Sequence, residues 1–144
     1  MSGPQSFAAM QFLVERRGRE QDRIAADLAR QQGEQQRFIK NLTRLDHLCE
    51  KAGVSGSLPI GLATNCGDFK QFVMGMAQSH RNELSVHEQE MATTRQALVQ
   101  AVQQREAMAQ VLGNRQRQWE AEKAGKARKQ SDDIALNVWR RGVA

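Results

Sequence analysis

Residues 7–52 read FAAMQFLVERRGREQDRIAADLARQQGEQQRFIKNLTRLDHLCEKA, and their apolar side chains recur at alternating steps of three and four residues. The positions of this series, called the first seam, are Phe7, Met10, Val14, Arg17, Gln21, Ile24, Leu28, Gln31, Gln35, Phe38, Leu42, Leu45, Cys49 and Ala52. A mean step of about 3.5 residues is the period of a helix that packs along one narrow stripe against another helix. The segment therefore predicts a long coiled-coil helix.

A second seam with the same period follows farther along the chain. Its positions are Val73, Ala77, His80, Leu84, His87, Met91, Thr94, Leu98, Ala101, Arg105, Met108, Leu112, Arg115 and Trp119. Between the seams, residues 53–67 read GVSGSLPIGLATNCG, and four glycines with one proline are not expected to continue a helix. We therefore expect an all-α chain: a long antiparallel two-helix coiled-coil hairpin with a C-terminal helical overhang. Low aromatic content favours such a hairpin over a layered domain.

Local signals give the expected ends of the helices. Ser6 is the expected N-cap of helix one, which then spans 6–52, and Gly53 is its expected left-handed terminator. Asp68, with a glutamine three residues later, has the spacing of a capping box, so helix two is expected over 68–123. The sequence AGKARKQ then weakens the helix, and a short last helix is expected over 132–141. The whole chain is expected to be a single coiled-coil domain with its hinge at 53–67.

The C-terminal end is expected to project beyond the hairpin. If the chain folds at the centre of its hinge, residue 7 lies opposite residue 113, and everything after Gly113 has no partner in the chain. This overhang contains both tryptophans, Trp119 and Trp139, and most of the basic excess behind the net charge of +5. A tryptophan on a lone helix exposes a large apolar surface. Either a partner protein covers Trp119, or the N-terminal residues fold over it.

No catalytic constellation is present in the sequence, and neither a cofactor nor a small-molecule substrate is expected. The glycines of VSGSLPIG lack the Lys-Ser/Thr pair of a phosphate-binding loop. Four residues near the hinge are conceivable zinc ligands, but their spacing matches no zinc motif, so no metal is expected. They are His47, Cys49, Cys66 and His80. The two cysteines are expected to be reduced thiols, with a disulfide across the hinge as the alternative. His80 and His87 are expected to pack in the seam against polar neighbours.

Charge and hydropathy limit where the chain acts and what it binds. No apolar run approaches the roughly 20 residues that span a bilayer, and the N-terminal apolar patch precedes its basic residues, the reverse of a secretory signal. A cytosolic protein is therefore expected. The basic C-terminal end would attract an acidic protein, a nucleic acid or an anionic membrane. A basic coiled coil that binds nucleic acid is the alternative function from another class, although no aromatic stacking platform accompanies it.

Two segments resemble the FliJ family of bacterial type III export proteins, which includes YscO-like and HrpO-like members. Residues 65–80, NCGDFKQFVMGMAQSH, resemble the start of the family's second helix, where a Phe, a Gln, aliphatic residues and a His follow the hinge. The matching residues are Phe69, Gln71, Val73, Met76 and His80. The C-terminal sequence SDDIALNVWRR resembles the family's closing helix, and the length and the Gln, Arg, Ala and Glu content also agree.

The resemblance implies a non-enzymatic component of the flagellar export apparatus that is cytoplasmic and peripheral at the inner face of the membrane. Such proteins resemble the central stalk of rotary ATPases. They bind the export ATPase hexamer, promote its assembly and activity, engage the cytoplasmic domain of the export gate and carry export chaperones. A stalk of an injectisome secretion system is the alternative within the family. Whether the chain is a monomer or pairs with another copy stays open.

The resemblance also implies two sets of site residues. The candidates for binding the export gate are Phe38, Leu42, Leu45, Cys49, Phe69, Val73, Met76 and His80. The first four are also seam positions, so burial in the seam is the alternative for each of them. The candidates for binding the ATPase lie at the basic end and are Arg115, Trp119, Lys123, Lys126, Arg128, Lys129, Trp139 and Arg140. Further apolar residues near the hinge, among them Phe72 and Leu48, exceed what one seam buries.

Overall fold

The computed structural model describes residues 3–52 and 60–143, and at residues 52 and 60–63 it describes the backbone only. Two helices account for nearly all of these residues: α1 spans Pro4–Ala52 and α2 spans Ile60–Val143. They pack against each other, and the described residues contain no strand. The prediction of an all-α helical hairpin is confirmed.

Helix α1 begins slightly earlier than its sequence predicts. The backbone carbonyl of Gly3 accepts hydrogen bonds from the amides of Ser6 and Phe7, at 2.9 and 3.3 Å. Pro4 therefore occupies the first helical position, where a missing N–H costs nothing because that amide has no partner within a helix. Ser6 lies inside the first turn, and its prediction as the N-cap was wrong.

Helix α2 is continuous from Ile60 to Val143, which corrects three expectations. It begins before Asp68, it passes through AGKARKQ, and it includes the residues expected to form a separate last helix over 132–141. The reason is that a lone glycine costs a helix only about 1 kcal/mol, while Ala, Lys, Arg and Gln are all good helix formers. Of the predicted hinge, residues 60–67 are helical, and residues 53–59, with the expected terminator Gly53, lie outside the described residues.

The chain forms two compact units, each containing a piece of α1 and a piece of α2. The terminal unit comprises Met1–Gln21 and Gln100–Ala144, and the central unit comprises Asp22–Val99. The buried apolar residues of the terminal unit are Phe7, Ala101 and Leu112, and those of the central unit are Val73, Ala77 and Met91. All six are seam positions, so the heptad pattern identified the core of both units.

Candidate binding surfaces

In the terminal unit, the rings of Phe7 and Trp119 pack edge to face, with centroids 5.9 Å apart and planes at 81°. Phe7 is buried and Trp119 is half-buried, and the ammonium of Lys123 lies 5.1 Å from the centre of the Trp119 ring. The N-terminal residues therefore cover Trp119, and the expectation that it projects beyond the hairpin was wrong. In this unit, burial of large seam side chains determines which residues of α1 and α2 face each other. The prediction had instead aligned the two helices about the centre of the hinge.

Three polar seam residues of the terminal unit, Arg17, Gln21 and Arg105, take part in hydrogen bonds between the two helices. Arg17 donates from Nη1 to Oε1 of Gln104 at 2.9 Å, and Arg105 donates from Nη1 to Oε1 of Gln21 at 3.4 Å. A Cβ at Gly18 would lie 3.4 Å from Nε of Arg105, so this glycine leaves room for the arginine to cross. Polar pairs of this kind specify register in coiled coils at a cost in stability.

Beyond Trp119, α2 continues as a single helix without a neighbour among the described residues. We define residues 120–143 as the free helix, and every residue in it is exposed. At about 1.5 Å per residue it is roughly 36 Å long. It carries six basic and four acidic residues. Its exposed large apolar side chains are Ile134, Leu136, Val138, Trp139 and Val143.

The structure divides the predicted ATPase-binding residues into two groups. Six of them lie on the free helix and are exposed: Lys123, Lys126, Arg128, Lys129, Trp139 and Arg140. The other two belong to the helix pair of the terminal unit. Trp119 packs on Phe7, and Nη1 of Arg115 lies 3.6 Å from the sulfur of Met10. Of the eight residues only Trp119 is half-buried, because Arg115 is exposed although it contacts Met10.

The predicted gate-binding residues of the central unit also fall into two groups. Val73 is buried, and five others are half-buried along the seam: Phe38, Leu42, Leu45, Cys49 and His80. The ring of Phe38 lies 6.4 Å from that of His80 and 5.7 Å from that of His87. Phe69 and Met76 are exposed. The residues of α1 thus lie along the seam, whereas Phe69 and Met76 of α2 are exposed, and the binding of the gate by any of these residues stays a prediction.

An apolar face lies on α2 beside the seam of the central unit. Phe69, Phe72 and Met76 are spaced at i, i+3 and i+7, which places them on one side of the helix, and each is exposed by 40% or more. We call these three residues the phenylalanine face. A Cβ at Gly75 would have no neighbour within 4 Å, so the surface beside Phe72 is open. Phe72, the most exposed at 65%, was absent from the predicted site, although its spacing from Phe69 could have identified it.

The buried histidine of the central unit confirms the expectation of a seam histidine with polar neighbours. Nε2 of His87 lies 2.8 Å from the carbonyl oxygen of Gln31, and Nδ1 lies 3.8 Å from a carboxylate oxygen of Glu34. Two further cross-helix contacts join this unit. Gln35 donates to Glu88 at 3.1 Å, and Arg81 forms an ion pair with Asp46 at 2.9 Å.

The described residues contain neither a group of side chains placed to hold a metal ion nor a helix that could cross a membrane. No group of three or more His, Cys, Asp or Glu side chains among them is placed to hold a metal ion. Cys49 and Cys66 are both free and half-buried. Neither described helix is long and apolar enough to cross a membrane. The candidate binding surfaces are the free helix in the terminal unit and the phenylalanine face in the central unit.

A family model described as Flagellar FliJ protein matches residues 6–144. The chain belongs to the FliJ family. The match includes both seams, the phenylalanine face and all of the free helix. Comparisons with curated proteins and with solved structures found no match.

Membership of the FliJ family makes this chain a component of the flagellar, or type III, protein export apparatus. The family consists of non-enzymatic stalk proteins of that apparatus. The resemblance read from residues 65–80 and from the C-terminal sequence is thereby confirmed at the level of the family.

Proposed function

We propose that this FliJ-family chain is a non-enzymatic, stalk-like regulator that binds the export ATPase ring through its free helix and the export gate through its phenylalanine face. In this role it promotes hexamer formation and ATP hydrolysis and couples the ring to the gate. The observation that carries the proposal is a helix of 24 residues, 120–143, that is exposed along its whole length in a protein of the export apparatus.

The properties of the free helix support binding to an acidic partner. Its basic residues exceed its acidic residues by two, and Trp139 is 65% exposed. Exposed tryptophan and arginine side chains are the residue types that contribute most to binding energy in protein interfaces. Basic side chains around such an anchor would also steer the helix toward a negatively charged surface and increase the association rate.

The ATPase proposal is tested by removing charge from the free helix in the full chain. We expect the triple variant Lys123→Ala, Lys126→Ala and Lys129→Ala to lose most of the stimulation of ATP hydrolysis and of hexamer formation. The matched control is Lys40→Ala, Arg44→Ala and Arg95→Ala, which removes three exposed basic residues from the central unit. Equal stimulation by both variants, with helicity unchanged by circular dichroism, would contradict the proposal.

The phenylalanine face supports binding to the cytoplasmic domain of the export gate. Two neighbouring phenylalanines and a methionine on one side of α2 form an apolar surface that water solvates poorly. Burying Phe72 alone would contribute about 1.5–3 kcal/mol to a complex. Val73 would contribute nothing directly, because its side chain is 3% exposed.

The gate proposal is tested by calorimetric titration of the cytoplasmic gate domain with the full chain. We expect Phe72→Ala to weaken binding by about tenfold or more. Met74→Ala is the matched control, because Met74 is 54% exposed but lies two residues from Phe72 and so on another side of α2. Unchanged affinity in Phe72→Ala would refute this assignment.

The proposal also includes transient binding of export chaperones and a peripheral position at the inner face of the membrane.

A further inference from the structure

We propose that the free helices of two copies of this chain pair antiparallel around a two-fold axis near residue 130. The pairing goes beyond the proposed function and does not rest on it, because no ATPase or gate takes part. Its basis is the pattern of side chains on one stripe of the free helix, in which each large or charged residue has a complementary position the same distance from the centre.

The stripe follows heptad spacing. Alternating steps of four and three residues along the free helix select Ala121, Gly125, Arg128, Asp132, Ala135 and Trp139. All six are exposed, and a Cβ at Gly125 would have no neighbour within 4 Å. These steps place the six side chains on one side of the helix, so a second helix can contact all of them together.

The sizes of the apolar residues on this stripe are complementary in an antiparallel pair. A two-fold axis near residue 130 places Trp139 of each copy against Ala121 of the other, and Ala135 against Gly125. The Trp139–Ala121 layers combine one large and one small side chain, which fills the space between two helices without overlap, and the Ala135–Gly125 layers combine two small residues. Because the interface is isologous, each of these layers occurs twice.

The charges on the stripe are complementary under the same symmetry. On the stripe, Arg128 of each copy faces Asp132 of the other, and beside its ends Glu120 faces Arg140. A parallel pair would instead place Arg128 against Arg128 and Asp132 against Asp132, which is unfavourable. Within one chain, Arg128 and Asp132 are four residues apart, yet no ion pair joins them. Both groups are therefore available to a second copy.

The test is sedimentation equilibrium of the full chain from about 5 to 500 µM, the range suited to a weak pair. At an ionic strength of about 50 mM, we expect the apparent mass to rise with concentration from 16.2 kDa toward twice that value. Arg128→Asp should oppose the native Asp132 of its partner, and Asp132→Arg should oppose the native Arg128. Each variant alone should therefore associate about tenfold or more weakly.

Mixing the two variants provides the decisive measurement. In an equimolar mixture, each introduced charge faces an opposite charge on the other variant, so we expect association to return to nearly the wild-type strength. Trp139→Ala should weaken wild-type association, whereas Ile134→Ala should not. Ile134 is exposed to a similar extent, 63% against 65%, but lies off the stripe.

Three outcomes would overturn the proposal: a wild-type chain that stays at the mass of one copy, single variants that still associate fully, or a mixture that fails to associate. None of these depends on the folding of a damaged variant, because the mixture contains only variants that were measured alone. The ATPase assay is independent. A chain that stimulates the ATPase but never pairs would leave the proposed function standing and refute only the pairing.

Discussion

The ring of His87 in α2 donates a hydrogen bond from Nε2 to the backbone carbonyl of Gln31 in α1, at 2.8 Å. Because a carbonyl oxygen only accepts, the proton must reside on Nε2. His87 is 8% exposed and packs 5.7 Å from the ring of Phe38. The acceptor is a main-chain atom, so it cannot move with a side chain. If α2 shifted along α1, this hydrogen bond would break. This hydrogen bond therefore fixes the relative register of α1 and α2 within the central unit.

We expect His87→Ala to lower the free energy of unfolding by about 2–4 kcal/mol, because the variant loses this hydrogen bond and leaves a cavity beside Phe38. Urea unfolding followed by circular dichroism measures the change. His47→Ala is the control, because the side chain of His47 is 68% exposed and its contact with Glu50 is 3.7 Å long. The control should change stability by no more than about 0.5 kcal/mol. Equal losses in both variants would contradict a register role for His87.

The buried stripe of each helix could be predicted from the sequence, since burial along a coiled coil follows the period of its apolar residues. Phe7, Val73 and Met91 were all seam positions and are all buried. Register was predicted less well, because the centre of a hinge does not determine which residues face each other. The packing of Phe7 on Trp119 does so in the terminal unit, and that contact joins residues 112 positions apart.

Which of the candidate binding residues are exposed could be predicted only in part. Periodicity shows which side of a helix is apolar, but not whether a neighbour covers it. Phe38 and Phe69 were predicted for the same surface, yet Phe38 is half-buried and Phe69 is exposed. The uninterrupted course of α2 through Gly125 was not predicted, because the helix propensity of the surrounding Ala, Lys, Arg and Gln residues outweighs the cost of a single glycine.

We expect Gly33→Ala to raise the free energy of unfolding by about 0.5–1 kcal/mol. Glycine is a poor helix former, and a Cβ at residue 33 would have no neighbour within 4 Å. Gly18→Ala should gain less, because its Cβ would lie 3.4 Å from Nε of Arg105 and the arginine would have to move. Thermal unfolding of both variants measures the difference. A loss of stability in Gly33→Ala would show that residue 33 does not lie in an ordinary exposed helix.

Neighbouring residues of α2 should separate stability from binding. Val73 is 3% exposed and Phe72 is 65% exposed, although they are adjacent in the chain. We expect Val73→Ala to cost about 1–3 kcal/mol of folding free energy, because a buried side chain is lost, and to leave gate affinity nearly unchanged in the folded protein. Phe72→Ala should change stability by no more than about 0.5 kcal/mol while weakening the gate complex. Urea unfolding and calorimetric titration of the same two variants measure both effects. If Val73→Ala instead weakened gate binding and Phe72→Ala instead destabilised the fold, the gate-binding site would lie in the seam.

Truncation should show where the helix pair of the terminal unit ends. Removing residues 124–143 takes away only exposed side chains and keeps Trp119 with Lys123, so we expect the free energy of unfolding to change by no more than about 0.5 kcal/mol. Removing everything after Gly113 also deletes Trp119 and uncovers Phe7, which should cost about 2–4 kcal/mol. Urea unfolding of the two truncated chains measures the difference. Phe7→Ala in the full chain serves as the control, because it breaks the same contact and should reproduce most of the loss. A shorter chain as stable as the longer one would mean that Trp119 does not contribute to the fold, and the ATPase could then engage it as freely as Trp139.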